Sequence, residues 1–278
     1  MDIPDDIKQW RKVQRAELLA RRRAVTRAQH RQWNASITQL LTEGFPILQV
    51  MAVSFYWPFQ GEFDPRFAIR QLRTRGATAA LPVVVQKGTP LQFREWWPGA
   101  PVTKGVFDLP MPDGTAVVRP QALLIPPVGF DAEGYRLGYG GGYFDRTLAL
   151  MRPQPLKIGV AFELSRIATT HPQPHDVPMD FIVTEAGIHH VNKNGLECIR
   201  DPREVVELAG RIILDRDRAA RHGDGSSVDR KWCATSCAAA THTAAIGTAV
   251  RSFRRPSPRA RRSVRAGACS RPACRCPS

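Results

Sequence analysis

The chain has 278 residues, 43% of them hydrophobic, which is ample for a buried core, and a formal net charge of +15. That charge is uneven: residues 226–278 carry eleven Arg or Lys against the single acid Asp229, net +10, leaving +5 for the first 225 residues. No run approaches the roughly 20 apolar residues of a membrane span, and the N-terminus opens on Asp2, Asp5 and Asp6 rather than a signal-peptide pattern, so a soluble cytoplasmic protein is expected.

Residues 7–42 read as a helix or helical pair. Val13, Ala16, Leu19, Ala20, Val25, Trp33, Ile37 and Leu40 supply its apolar face, and Arg11, Lys12, Arg15, Arg21, Arg22 and Arg23 mostly its wet side. Ile47 to Trp57 reads as a strand, Pro58 to Pro65 as a loop, and Arg66 to Arg75 as a helix ended by Gly76. Ala79 to Val85 reads as the next strand, Leu91 to Trp97 as a hairpin-like region, and Ala122 to Ile125, Lys157 to Ala161 and Phe181 to Thr184 as further strands. Strands alternating with helices predict an α/β three-layer sandwich with an open, mostly parallel central sheet. Glu204 to Asp217 has helical spacing. The expected organisation is a catalytic domain over 1–190, an additional helical segment over 191–225 and a basic, low-complexity, disordered tail over 226–278. Cys198 is the one cysteine before the tail, so no internal disulfide is expected in the globular part, and the tail cysteines lack paired zinc-ligand spacing.

The most informative stretch is Leu124 to Arg146, where an apolar run opens into a loop with glycines at 138, 140, 141 and 142. Four missing Cβ atoms let a backbone take positive φ and aim its N–H groups at an anion. Arg136 and Arg146 flank the glycines and can offer charge-assisted bonds to phosphate oxygens. The spacing is neither that of a P-loop nor a dinucleotide fingerprint. Asp145, three residues past Gly142, is placed either to hold a magnesium ion against a phosphate or to occupy a helix N-terminus, and Tyr143 and Phe144 suit either the site or the core.

Two further patches complete the candidate site. Phe55-Tyr56-Trp57-Pro58-Phe59-Gln60-Gly61-Glu62 brings aromatics to a carboxylate, which suits a flat heterocycle whose N–H groups Glu62 accepts; such aromatics also serve as core. His171 to Asp180 precedes a strand, and Asp176 can join Asp145 around a cation.

Taken in order, Tyr56-Trp57-Pro58, Glu62, Leu81-Pro82, Pro126 to Asp131, Gly134, the run Arg136-Leu137-Gly138-Tyr139-Gly140-Gly141-Gly142-Tyr143-Phe144-Asp145-Arg146 and Thr184-Glu185 resemble the 5-formyltetrahydrofolate cyclo-ligase family over roughly residues 8–188. The resemblance implies that ATP and Mg2+ drive conversion of 5-formyltetrahydrofolate to 5,10-methenyltetrahydrofolate, releasing ADP and phosphate. It implies ATP contacts from Arg11 or Lys12 and Arg15, and from Arg136 through Phe144 (Leu137, Gly138, Tyr139, Gly140, Gly141, Gly142 and Tyr143 between them). It places the folate against Trp57, Glu62, Gly140, Gly141, Gly142 and Tyr143, the reaction at Arg136, Tyr143 and Asp145, and magnesium on Asp145 and Asp176. Arg11 stands where the family has lysine, and Gly141 where some members have lysine, so any phosphate contact from that side chain is absent.

The chemistry so implied is attack of the N5-formyl oxygen on the γ-phosphorus, addition of N10 to the activated carbon, and departure of phosphate. A protein doing this mainly aligns atoms and stabilises charge. The chain is expected to be a monomer without membrane or specific nucleic-acid partners. Its basic surface would favour polyglutamyl folate. The competing class is a nucleic-acid-binding protein dominated by the tail, whose binding would be salt-sensitive and lost on its removal.

Overall fold

The computed structural model describes residues 4–105 and 108–222. Two helices open the chain, α1 (Asp5–Arg23) and α2 (Arg27–Gly44). The expected pair is split where Thr26 forms a capping box: its side chain accepts from Gln29 N and the Gln29 side chain accepts from Thr26 N. The expected strand over 47–57 is only β1 (Ala52–Ser54), because Pro46 starts a 3-10 helix over Pro46–Val50 that buries Ile47 and Leu48. Next come α3 (Arg66–Thr74), β2 (Thr78–Val83) and β3 (Gln92–Glu95), then β4 (Val102–Lys104) with β5 (Pro110–Pro112), and β6 (Ala122–Ile125). The hairpin β7 (Gly129–Phe130) and β8 (Arg136–Leu137) leads into the glycine loop and α4 (Tyr143–Leu150). The chain continues through β9 (Leu156–Val160), β10 (Phe181–Thr184), β11 (Gly187–Asn192), β12 (Gly195–Ile199) and α5 (Pro202–His222).

The main sheet has eight strands in the order β12-β11-β10-β9-β6-β1-β2-β3. The five strands from β10 to β2 are mutually parallel, whereas β3 pairs antiparallel with β2 at one edge, and at the other β11 pairs antiparallel with β10 and β12 with β11. The inner strands β6, β9 and β10 are buried at every position, as a sheet covered on both faces requires. Ala122 and Leu124 of β6 and Phe181 and Val183 of β10 face a core shared with Ile37 and Leu41 of α2, Ile69 and Leu72 of α3 and Val205, Ala209 and Ile213 of α5. Leu123, Ile125 and Ile182 face the opposite core, with Leu148 of α4 and Phe130 of the hairpin. This is the three-layer α/β sandwich that the sequence predicts.

The region beyond residue 190 departs from the expected helical segment. Residue 190 lies inside β11, and β12 pairs with it from Ile188↔Ile199 to Asn192↔Gly195 before α5 begins. Helix α5 is tied back to the sheet by Arg216, whose guanidinium donates to both oxygens of Asp180 at 2.8 and 2.6 Å, with Lys157 Nζ 3.3 Å from the same carboxylate. The expectation of a disordered tail over 226–278 lies outside the described residues.

The expected apolar face of α1 is also corrected. Val13 is exposed, while Leu18 is buried together with Arg11 and Arg22. Leu18 packs with Val128 and Leu137 of the hairpin region, and its Cδ1 lies 2.6 Å from where a Cβ on Gly129 would be. Only glycine admits so close an approach. Leu18→Ala is therefore expected to lower unfolding free energy by about 3 kcal/mol in denaturant titration, since it empties the contact that seats α1.

Candidate active site

In an open α/β sheet, ligands gather beyond the carboxyl ends of the strands where strand order reverses. Here the chain moves outward from β1 to β2 and β3, then returns to place β6 on the other side of β1. The Tyr56–Phe63 loop leaves the end of β1, and Pro126 leads from β6 to the hairpin. A cleft of about 1150 Å3 opens there, floored by Ile125 and Pro126 and walled by Leu109, Pro110 and Met111 of the β4–β5 flap. All sixteen residues singled out from the sequence line it: Arg11, Lys12, Arg15, Trp57, Glu62, the nine from Arg136 to Phe144, Asp145 and Asp176.

The glycine loop forms one side. Residues 139–142 are exposed, Gly140 has φ +94° and Gly142 φ +60°, and Gly142 caps the start of α4. A helix N-terminus beside left-handed glycines presents several backbone N–H groups toward one point, a geometry that suits a phosphate. Arg15 Nε donates to Gly138 O at 2.8 Å, and its guanidinium carbon lies 3.5 Å from the position a Cβ would take on Gly140. Tyr143 lies along the loop, its ring 2.7 Å from a notional Gly141 Cβ, with the Arg146 guanidinium over its face. Leu137 is buried, so its side chain serves the core and only its backbone faces the loop. Phe144 likewise packs against the core on that face of the sheet.

Arg136 is not a free cation. Its Nη2 donates to Asp145 Oδ1 at 2.5 Å and its Nη1 to Val177 O at 2.6 Å, and Val177 N donates to the same Asp145 oxygen at 3.1 Å. Arg136 thus braces Asp145 from behind. Asp176 is held in a matching way: its Oδ2 accepts from Arg11 Nη2 at 2.7 Å and from Gln173 N at 2.8 Å. Arg11, which sequence periodicity places on the wet side, is buried, and donates also to the carbonyls of Thr170 and His171. Each aspartate keeps one oxygen, Asp145 Oδ2 and Asp176 Oδ1, without a protein hydrogen bond among the described residues. His175, half exposed, lies 3.8 Å from the latter.

Across the cleft, Glu62 is 5% exposed. Its Oε2 accepts from Phe59 N at 2.8 Å and its Oε1 from Tyr139 Oη at 2.7 Å. Burial pushes its carboxyl up to about 7, although the Tyr139 hydroxyl, the Arg22 guanidinium and Phe59 N–H all favour the charged form. Trp57 is half-buried beside it, with the Arg66 guanidinium 4.7 Å above its ring and Arg66 itself forked onto Asp64. Arg22 is the residue that sequence reasoning missed: assigned to solvent, it is buried and donates to Tyr139 Oη at 2.6 Å and Gln60 O at 3.1 Å. Its position at i+11 from Arg11 and i+7 from Arg15 puts all three on one face of α1, the only signal that could have exposed it.

A raised carboxyl has a definite sign in stability. The folded protein holds the Glu62 proton up to about pH 7 while the unfolded chain releases it near 4.5, so stability falls as pH rises between those values. Glu62→Gln removes that cost. At pH 8 the variant is expected to be more stable than the wild type, by roughly 2–3 kcal/mol, and the difference is expected to vanish below pH 4, as read by denaturant unfolding across pH.

The profile of the 5-formyltetrahydrofolate cyclo-ligase family matches residues 7–185. An Escherichia coli (strain K12) protein named 5-formyltetrahydrofolate cyclo-ligase is 28% identical over 178 residues, covering 60% of this chain and 96% of that one. A Mycolicibacterium smegmatis protein of the same name is 29% identical over 178 residues, 61% of this chain and 91% of its own. The NMR structure of Aquifex aeolicus 5,10-methenyltetrahydrofolate synthetase superposes with a TM-score of 0.58 at 25% identity, over 68% of this chain and 96% of that one. With a match across most of the described residues, and with the glycine loop, the carboxylates and the aromatic patch gathered in one cleft, this chain belongs to the 5-formyltetrahydrofolate cyclo-ligase family.

Proposed function

We propose that the two sides of the cleft divide the substrates of the family reaction, in which ATP drives 5-formyltetrahydrofolate to 5,10-methenyltetrahydrofolate: the glycine loop and α1 hold the triphosphate, and Glu62 with Trp57 holds the pterin. The observation that carries this reading is the facing of an anion-binding loop and a buried, hydrogen-bonded carboxylate across one cleft, with Tyr139 of the loop bonded to that carboxylate. A formyl oxygen placed between them lies against the γ-phosphate, and this proximity supplies the larger part of what the reaction needs.

On the nucleotide side, the N–H groups at the start of α4 and of Gly140–Gly142 stabilise charge on the transferring phosphoryl group, and Arg15 orders the loop that carries them. The donor set fits a magnesium ion: two carboxylates, each fixed by an arginine and a backbone N–H and each with one oxygen to spare, match a metal that takes one or two protein carboxylates and completes its shell with phosphate oxygens and water. Among the described residues no cluster of three or more His, Cys, Asp or Glu forms an all-protein cage, which fits the same division of ligands. When bound, that ion supplies screening of the charge that builds on the phosphate oxygens. Asp145 and Asp176 would hold it, Arg136 and Arg11 fix the orientation of the two carboxylates, and Lys12 adds positive potential at the rim. Arg11 in the lysine position is spent on Asp176 and two carbonyls, so it acts here through the carboxylate.

On the folate side, the Glu62 carboxylate accepts from the heterocycle's N–H groups while Trp57 packs its face. Lys8 and Lys12 on the rim support, by charge, acceptance of polyglutamyl forms. The reading places the reaction in the cytoplasm. No described helix is long and apolar enough to cross a membrane.

The test is growth of the near-ultraviolet absorbance of the methenyl product on mixing protein, 5-formyltetrahydrofolate and Mg2+ with and without ATP. An ATP-dependent rise is expected, reduced about 100-fold or more in Asp145→Asn, which loses a metal-holding charge. No rise from folded, ATP-binding protein would contradict the reading. Gly140→Ala, strained at φ +94°, is expected to raise the KM for ATP at least about tenfold and leave the KM for folate within about twofold.

A further inference from the structure

Glu62 does not stand alone, and the polarity of its hydrogen bonds can be read without ambiguity. A guanidinium has no acceptor, so the 2.6 Å contact between Arg22 Nη2 and Tyr139 Oη has the arginine as donor and the phenol oxygen as acceptor. The single phenolic proton is then committed to Glu62 Oε1, 2.7 Å away. Arg22 is itself fixed by its Nε bond to Gln60 O, and its Nη2 lies 3.8 Å from Glu62 Oε1. An ionised carboxylate offers about four acceptor sites. Tyr139 takes one on Oε1 and Phe59 N one on Oε2, which leaves one on each oxygen, the number a heterocycle with two adjacent N–H groups requires.

We propose that Arg22 and Tyr139 are positioning residues for the folate subsite, a chain from guanidinium through phenol to carboxylate that fixes the orientation of Glu62 and presents its remaining lone pairs to the substrate. The inference rests on the assignment of Glu62 to the pterin. The chain runs from a buried helix face, through the glycine loop, to the far wall of the cleft, so it also joins the folate subsite to the loop assigned to ATP. It explains why Arg22 and Glu62 are both buried although their 3.8 Å ion pair is too long for a hydrogen bond: the phenol between them conveys the polarisation.

The groups facing Glu62 are Arg22 from α1, Tyr139 from the loop, and Tyr56 after β1, whose buried hydroxyl has no hydrogen-bond partner among the described residues; Asp64 is near in chain and already forked by Arg66, and His30 of α2 reaches the backbone oxygen of Glu62 at 3.0 Å. Removing the Tyr139 hydroxyl or the Arg22 charge deletes a group that favours ionised Glu62, so the pH at which the carboxylate becomes competent rises.

The experiment measures kcat and both KM values between about pH 6 and about pH 9 for wild type and Tyr139→Phe, a partly exposed position where the loss of one oxygen leaves the ring packing on Phe59 in place. The KM for 5-formyltetrahydrofolate is expected to rise roughly tenfold, with the KM for ATP within about twofold. The acid limb of kcat/KM for folate is expected to move to higher pH, so that the deficit is larger at about pH 6 than at about pH 9. Arg22→Gln is expected to move that limb in the same direction; should its burial prevent folding, Tyr139→Phe decides alone. A deficit equal at every pH, or one confined to the KM for ATP, would make Tyr139 a loop-packing residue and overturn the proposal. Wild-type turnover with an unaltered Tyr139→Phe profile overturns the chain alone, whereas absence of wild-type turnover overturns the folate assignment and the chain with it.

Discussion

A loop made of glycines has no side chains with which to hold itself in place, and the site depends on how this one is held from outside. One face of α1 does most of it. Arg11 fastens the 170–176 loop through two carbonyls and Asp176, Arg15 fastens Gly138, and Arg22 fastens Tyr139. Leu18 between them supplies the apolar contact that seats the helix on the hairpin. Burying guanidinium groups is costly unless every one is paired, and here the pairing partners are the carbonyls, hydroxyl and carboxylate that need fixing. The desolvation cost of the helix and the order of the loop are two consequences of the same bonds.

The sheet determines why these parts can meet. Because β1 lies between β2 and β6, the loops leaving β1 and β6 diverge in sequence and converge in space. Tyr139 and Glu62 are 77 residues apart in the chain, and Arg11 and His171 are 160 apart. Five parallel strands buried on both faces give that crossing a rigid base. The carboxylates on the two sides then do opposite things. Asp145 and Asp176 are each held by an arginine with one oxygen left over, which suits a cation. Glu62 is so desolvated that its carboxyl titrates near 7, which suits a neutral heterocycle presenting N–H groups.

What the sequence makes legible is local. The glycine spacing, the acid three residues beyond it and the short apolar runs of β6, β9 and β10 are all encoded within a few positions, and the structure places them as read. Ile47 to Val50 illustrates the limit: an apolar run has the same appearance as strand or as a buried 3-10 turn, and Pro46 decides it by fixing the first turn. The strands of the β7–β8 hairpin are two residues each, too short to show any period. Charge misleads in a different way. Arg11 and Arg22 look like the wet side of α1 because the residues that neutralise or satisfy them are more than a hundred positions away for Arg11 and for the Arg22 bond to Tyr139. Helical periodicity reports which residues share a face, and tertiary pairing decides whether that face is dry.

The most direct test of the arrangement is amide hydrogen exchange on the full chain with a non-hydrolysable ATP analogue and Mg2+, and separately with 5-formyltetrahydrofolate. The account requires the nucleotide to slow exchange at residues 138–145 and the folate to slow it at residues 56–63, with each ligand also altering the opposite segment through Tyr139. Nucleotide protection confined to the basic 226–278 segment, with no change at 138–145, would contradict it.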